Sequence, residues 1–153
     1  MKKIAFLALS LFAAFAATAQ ESPVKWSYES KKVADGPTGA GTYDLVFTAN
    51  IQDGWYVYSQ YLESDDGPVR TSIRYDENAA VKMDDKNVED GHKYEGYDDL
   101  FGMNIIKFNG QPTFTQRVKI TKPTTLSGTV EFMTCNNERC LPPVEIPFRF
   151  DLK

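Results

Sequence analysis

The chain has 153 residues, a length that suffices for one domain with its own hydrophobic core. Its formal net charge is −4, and its 21 acidic and 17 basic residues are scattered along the sequence. This acidic balance argues against a nucleic-acid partner and against binding to an anionic membrane surface. The scattered charges indicate a solvated surface rather than one charged binding face.

The amino-terminal segment has the pattern of a secretory signal peptide. Lys2 and Lys3 precede an apolar run over residues 4–16, and an A-x-A cleavage pattern ends at Ala19. The run is shorter than the roughly 20 apolar residues of a membrane span, and no later stretch is long enough either. We therefore predict a signal peptide over residues 1–19, no direct membrane insertion, and one exported domain over residues 20–153.

Alternation of apolar and polar residues predicts strands along the first half of this domain. A first strand over 25–33 places Trp26 and Tyr28 on one side, and residues 34–41 are rich in glycine and proline, as in a loop. The second strand has one apolar face, formed by Tyr43, Leu45, Phe47, Ala49 and Ile51. An aromatic strand over 55–62 and short strands over 69–75 and 81–83 follow.

The second half combines a polar segment with four more predicted strands. Residues 84–96 are interpreted as a polar loop in which His92, the single histidine, is a solvated surface residue rather than a catalytic base. Strands over 104–108 and 113–120 are predicted to pair across Asn109-Gly110, a favoured hairpin turn. The last two strands cover 126–132 and 143–152, and Pro147 suits an edge strand.

No segment after residue 19 shows a helical period, whereas turn signals recur about every ten residues. Many short alternating strands of this kind are typical of a β-sandwich. The predicted fold class is therefore all-β, an immunoglobulin-like β-sandwich, with a β-barrel as the alternative.

Cys135 and Cys140 are the chain's two cysteines, and an intramolecular disulfide is the default for such a pair in an exported protein. The bridge would close a loop of six residues, for which the chain-entropy model gives only about 2 kcal/mol of stabilisation. It joins the end of one strand to the loop before the next, so we expect both sulfurs near the surface. Arg139 would favour the thiolate of Cys140, and Glu138 opposes that effect.

The cysteine spacing leaves two interpretations open, a structural bridge and a redox-active pair. The pair does not have the C-x-x-C spacing of thioredoxin-like proteins, and no βαβ pattern surrounds it. Two cysteines and the distant His92 do not supply the four ligands that a zinc site usually needs.

Three segments in order resemble the amino-terminal periplasmic domain of the thiol:disulfide interchange protein DsbD. They are Asp53-Gly54-Trp55-Tyr56-Val57-Tyr58, then Tyr97-Asp98-Asp99-Leu100-Phe101-Gly102, then Cys135 and Cys140 followed by Leu141-Pro142-Pro143. The resemblance covers nearly the whole chain after residue 19. It implies an immunoglobulin-like fold, a periplasmic location, and thiol–disulfide exchange that needs no metal or organic cofactor.

The resemblance also implies a role for each site residue. Cys140 would form the mixed disulfide with a partner and Cys135 would resolve it. The segment Asp98, Asp99, Leu100, Phe101 and Gly102 would be a mobile cap, in which Leu100 and Phe101 shield the pair from oxidants. Tyr56 and Tyr58 would line the site, and Asp98 or Asp99 would affect proton transfer.

The implied partners are thioredoxin-like proteins or domains that donate and accept electrons, including disulfide isomerases and thioredoxins of cytochrome c maturation. The chain ends at Lys153, so a membrane electron carrier would be a separate protein, and reductase activity would depend on such partners. Two other functions remain open. One is an exported immunoglobulin-like binding module with a structural disulfide, and the other is a subunit of an envelope assembly.

Overall fold

The computed structural model describes residues 22–153, and the predicted signal peptide over residues 1–19 lies outside them. Within the described residues there is no α-helix, and a single 3₁₀ turn covers Pro37–Gly39. The strands are β1 Val24–Asp35, β2 Gly41–Ile51, β3 Tyr56–Tyr58, β4 Ser72–Tyr75, β5 Val81–Asp98, β6 Met103–Ile120, β7 Thr124–Phe132, β8 Thr134–Cys135 and β9 Val144–Leu152. Over this same range, no helix has the length and apolar character needed to cross a membrane.

The strands form two antiparallel sheets. In the larger sheet β1 pairs with β2, and β8 pairs with β3. The strands β2 and β3 pair with successive segments of one edge of β6, and β5 pairs with its other edge. The smaller sheet has the order β4-β7-β9. The predicted all-β, immunoglobulin-like class is confirmed. Pro147 lies in β9, an edge strand of the smaller sheet, where its missing N–H interrupts no sheet interior.

The main core lies between the two sheets and follows the predicted alternation. In β2 the inward residues Tyr43, Leu45, Phe47, Ala49 and Ile51 are all buried, and in β9 the residues Phe148, Phe150 and Leu152 are buried. The rings of Phe47 and Phe148 meet edge to face across the sandwich, with their centroids 4.9 Å apart. Burial of each such side chain contributes about 1.5–3 kcal/mol, so these two strands supply much of the core energy.

The prediction of a polar loop over residues 84–96 is wrong. This segment belongs to β5, which pairs with β6 along its length apart from irregularities after Asp84 and Asp90. Most side chains of β5 are exposed because it lies at the edge of the larger sheet. A strand with so little buried surface shows no apolar alternation, so its sequence resembles that of a loop. His92 lies in this strand, and it is exposed as expected.

Two predicted strand limits are also wrong. Residues 104–120 form one strand, so Asn109-Gly110 is not a hairpin turn, although Gly110 has a positive φ of 70°. The dipeptide instead marks the point where β6 changes partner, from β3 at Phe108 to β2 at Thr113. The strand predicted over 55–62 is reduced to Tyr56–Tyr58.

Gly128 in β7 occupies a position at which any side chain would collide with both neighbouring strands. A Cβ atom there would lie 2.1 Å from the carbonyl oxygen of Arg74 and 2.5 Å from the ring of Phe148. We expect Gly128→Ala to lower the free energy of unfolding by about 3 kcal/mol, because strands must move apart in a packed core. Denaturant titration followed by circular dichroism measures this loss.

Gly54 provides the matched control for that substitution. It has a positive φ of 81° in a turn, and a Cβ atom there would meet nothing within 4 Å. Gly54→Ala should therefore cost only about 1 kcal/mol, the conformational penalty alone. Equal losses for the two alanine variants would contradict the steric explanation.

Candidate redox site

Strand register places the cysteine pair on the face of the larger sheet that points away from the main core. Val57 and Phe108 are buried in that core and pair with each other. Since side chains alternate along a strand, their neighbours Tyr56, Tyr58 and Lys107 lie on the opposite face. Cys135 pairs with Tyr56 and so lies on this outer face as well.

Cys135 and Cys140 form a disulfide that closes a narrow hairpin. The amide of Leu141 donates to the carbonyl oxygen of Thr134 at 2.9 Å, which continues the pairing beyond the bridge. The side-chain oxygen of Asn136 accepts the backbone N–H groups of Glu138 at 2.9 Å and Arg139 at 2.8 Å. These backbone bonds do not depend on the S–S bond, so they favour the same hairpin when the two thiols are reduced.

The two cysteines differ in exposure. Cys135 is 1% exposed, whereas Cys140 is only partly buried. The expectation that both sulfurs lie near the surface is therefore wrong for Cys135. Its side chain belongs to a second apolar cluster that includes the buried residues Tyr58, Leu62 and Ile105.

The tip of the β5–β6 hairpin covers this cluster, and it contains the five residues predicted as a cap. Asp98 is the last residue of β5, and its carbonyl oxygen accepts the N–H of Gly102 at 2.8 Å. The Asp98 carboxylate accepts the N–H of Leu100 at 3.0 Å. Gly102 has a φ of +66°, which a side chain would disfavour in so tight a turn. Asp99 lies between Asp98 and Leu100 and is exposed.

Phe101, rather than Leu100, packs against the cysteine cluster. The ring of Phe101 lies edge to face on Tyr58, with the centroids 5.8 Å apart and the planes at 86°. Phe101 also belongs to the apolar cluster that contains Cys135 and Cys140. Leu100 is 54% exposed. The aromatic side chain therefore supplies the apolar cover and Leu100 lies at the outer rim.

Beside these contacts, a cavity of about 290 Å³ lies between the hairpin tip and the turn at Asn136. Its lining includes Tyr56, Tyr58, Asp98, Leu100, Lys107 and Asn136. The pKa of the Tyr58 hydroxyl is raised, first by burial and then by the negative charge of Asp98. A tyrosine hydroxyl is already neutral at pH 7, and the raised pKa keeps the Tyr58 hydroxyl neutral at higher pH as well.

The sequence did not single out Lys107 or Asn136. An asparagine at the start of a tight turn is a recognisable signal, because its side chain bonds to backbone N–H groups two residues on. Lys107 offers no such signal, since its place beside the site depends on pairing with Tyr58 in β3 and Tyr94 in β5. His92 contacts Asn109, with 2.5 Å between Nδ1 and Oδ1.

Fold and site together define an immunoglobulin-like sandwich that carries one disulfide beneath a hairpin cap. Residues 28–151 match the family described as "Thiol:disulfide interchange protein DsbD, N-terminal". The chain belongs to this family, as the resemblance of its three segments indicated. A search of curated protein sequences finds no match.

Solved structures similar to this chain include two N-terminal domains. The N-terminal periplasmic domain of ScsB from Proteus mirabilis has a TM-score of 0.57 and 16% identity, over 83% of this chain and 46% of that one. The chain therefore spans about half of that structure, and at this identity the likeness shows the fold alone. The reduced DsbD n-terminal domain of Neisseria meningitidis has a TM-score of 0.48 and 15% identity, over 81% and 84% of the two chains.

Proposed function

We propose that the chain relays reducing equivalents between thioredoxin-like partners by thiol–disulfide exchange at Cys135 and Cys140. Its membership of a thiol:disulfide interchange family supports the reaction class. The observation that carries the proposal is the unequal burial of the two sulfur-bearing residues in one short hairpin. Once the cap opens, an incoming thiolate reaches Cys140 more readily than the buried Cys135.

The exchange proceeds in two balanced steps. A partner thiolate attacks Sγ of Cys140, the intramolecular S–S bond breaks, and Cys135 leaves as a thiolate that takes up a proton. The partner's second thiol, as a thiolate, then attacks the partner sulfur of the mixed disulfide and releases Cys140. The partner ends oxidised and this chain ends as a dithiol. Donation to an acceptor disulfide runs in reverse, with Cys140 attacking and Cys135 resolving.

The cap residues have separate roles in this proposal. Phe101 excludes small oxidants and reductants from the pair, Leu100 lies at the rim where a partner approaches, and Gly102 permits the turn. Asp98 fixes the cap backbone, and Asp99 faces solvent. Tyr56 and Tyr58 line the cavity beside the pair, where a partner's reactive loop would bind. The cap must open during each encounter, as lids over reactive sites commonly do.

The cellular setting belongs to the same proposal. Residues 1–19 direct export, residues 20–153 form one domain, and the domain acts in the periplasm. Its donor and acceptor are thioredoxin-like proteins or domains. The hydrophobic cover around the disulfide suits recognition of a protein partner, because only a complementary surface offsets the opening of the cap.

Measuring the reduction potential of the Cys135–Cys140 bridge against glutathione tests this function. We expect a value above about −300 mV, in the range of disulfides that exchange with thioredoxin-like proteins. A value well below this figure would identify a structural disulfide and favour the binding module. The Cys135→Ala/Cys140→Ala variant is the control, and it should lose only about 2 kcal/mol of stability because the loop is short.

A further inference from the structure

Lys107 makes a largely buried ion pair with the first residue of the cap. Its Nζ atom lies 2.7 Å from Oδ2 of Asp98, and the two side chains are 14% and 11% exposed. By contrast, Lys93 and Glu95 pair on the same hairpin with side chains 52% and 59% exposed. Removing one partner of a buried pair is far more costly than removing one from an exposed pair, because the remaining charge loses its compensation.

Two tyrosine rings hold the same ammonium group in place. The Nζ atom lies 4.5 Å from the ring centroid of Tyr56 and 5.2 Å from that of Tyr94. Both distances are within the range of a cation–π interaction. Tyr56 lies in β3 and pairs with Cys135, so Lys107 contacts the strand next to the disulfide.

Asp98 transmits this anchorage to the backbone of the cap. One carboxylate oxygen accepts the bond from Lys107, and the other accepts the N–H of Leu100 at 3.0 Å. The carbonyl oxygen of Asp98 accepts the N–H of Gly102. A chain of contacts therefore runs from the Tyr56 ring through Lys107 and Asp98 to both sides of Phe101.

We propose that Lys107 is a positioning residue that latches the cap closed over the disulfide through its ion pair with Asp98. This inference rests on the proposed function, because it describes how access to the exchanging pair is regulated. In the closed cap the two charges compensate each other while both side chains have little contact with solvent. Without the ammonium group, the carboxylate gains more from hydration than from staying, and the cap opens more often.

The test is the rate at which dithiothreitol reduces the Cys135–Cys140 bridge, followed by thiol labelling. Lys107→Met keeps the apolar stem but removes the charge, and it should accelerate reduction by at least about tenfold. Lys107→Arg keeps the cation and should stay within about threefold of the unaltered protein. Lys93→Met is the matched control, which removes an exposed lysine from the same hairpin and should leave the rate unchanged.

Asp98→Asn separates a latch from a general loosening of the fold. Its side-chain oxygen still accepts the Leu100 N–H, but its charge is gone, so this variant should show the same acceleration as Lys107→Met. In the Asp98→Asn background, Lys107→Met should add no further acceleration, because the latch is already broken. Circular dichroism confirms folding, and Asp98→Asn carries the test if Lys107→Met does not fold.

Three results would overturn the latch. Lys107→Met could be reduced at the same rate as the unaltered protein, or Lys107→Met could accelerate reduction further in the Asp98→Asn background. The third is that Lys93→Met accelerates reduction as much as Lys107→Met does. The measurement uses a small thiol and no protein partner. Failure of the latch therefore leaves exchange with thioredoxin-like proteins untouched. Conversely, a bridge that dithiothreitol does not reduce in any of these variants contradicts the proposed function itself.

Discussion

Cys135→Ser should convert the domain into a trap that holds a thioredoxin-like protein through a stable mixed disulfide. The variant retains the thiol of Cys140, the more accessible of the two, and lacks the thiol that would resolve the intermediate. A suitable target is a thioredoxin-like protein that keeps only its exposed active-site cysteine, activated with thionitrobenzoate. Attack by the Cys140 thiolate forms the protein–protein disulfide and releases thionitrobenzoate, whose absorbance gives the rate.

Cys140→Ser is the matched control for the trap. It leaves Cys135, which is 1% exposed beneath the cap, and its coupling should be at least about tenfold slower because reactivity follows access to the thiolate. A non-reducing gel should show the covalent pair for the first variant only. Equal rates, or faster coupling through Cys135, would reverse the assigned roles of the two cysteines.

Backbone hydrogen bonds of the hairpin, and not only the disulfide, hold Cys135 close to Cys140. The Asn136 side chain fixes the turn through two backbone N–H groups, and the Leu141 amide closes it. A thiol at position 135 therefore stays near position 140 after the bridge opens. This proximity favours rapid resolution of any mixed disulfide and limits the lifetime of a covalently attached partner.

Sequence alternation predicted the strands that bury one face and failed on the strand that does not. β2 and β9 each present a row of apolar residues to the core, so their pattern carries the fold. β5 is an edge strand exposed for most of its length, and its polarity resembled that of a loop. The predicted turn at Asn109-Gly110 does not form, because β6 continues through it and pairs first with β3 and then with β2. Pairing with distant strands is not visible in a local sequence pattern.

The sequence predicted only those parts of the site whose residues are close together in the chain. The cysteine spacing and the cap segment are local, and their order in the chain led to the family. The burial of Cys135 and the place of Lys107 depend on how β3, β6 and β8 align, which no local pattern encodes. Phe101 and Leu100 are adjacent and both apolar, so the turn geometry alone decides which of them packs inward.

Phe101→Ala should remove the apolar cover and speed reduction of the bridge by dithiothreitol by about tenfold or more, since the ring packs on Tyr58 within the cysteine cluster. The same variant should lose about 2 kcal/mol of stability, less than a fully buried phenylalanine would. Leu100→Ala is the matched control: its side chain is 54% exposed, so the reduction rate should change less than about twofold. If Leu100→Ala accelerated reduction more than Phe101→Ala, Leu100 would be the shielding residue, and partner-induced opening would have to displace the rim of the cap rather than the ring on Tyr58.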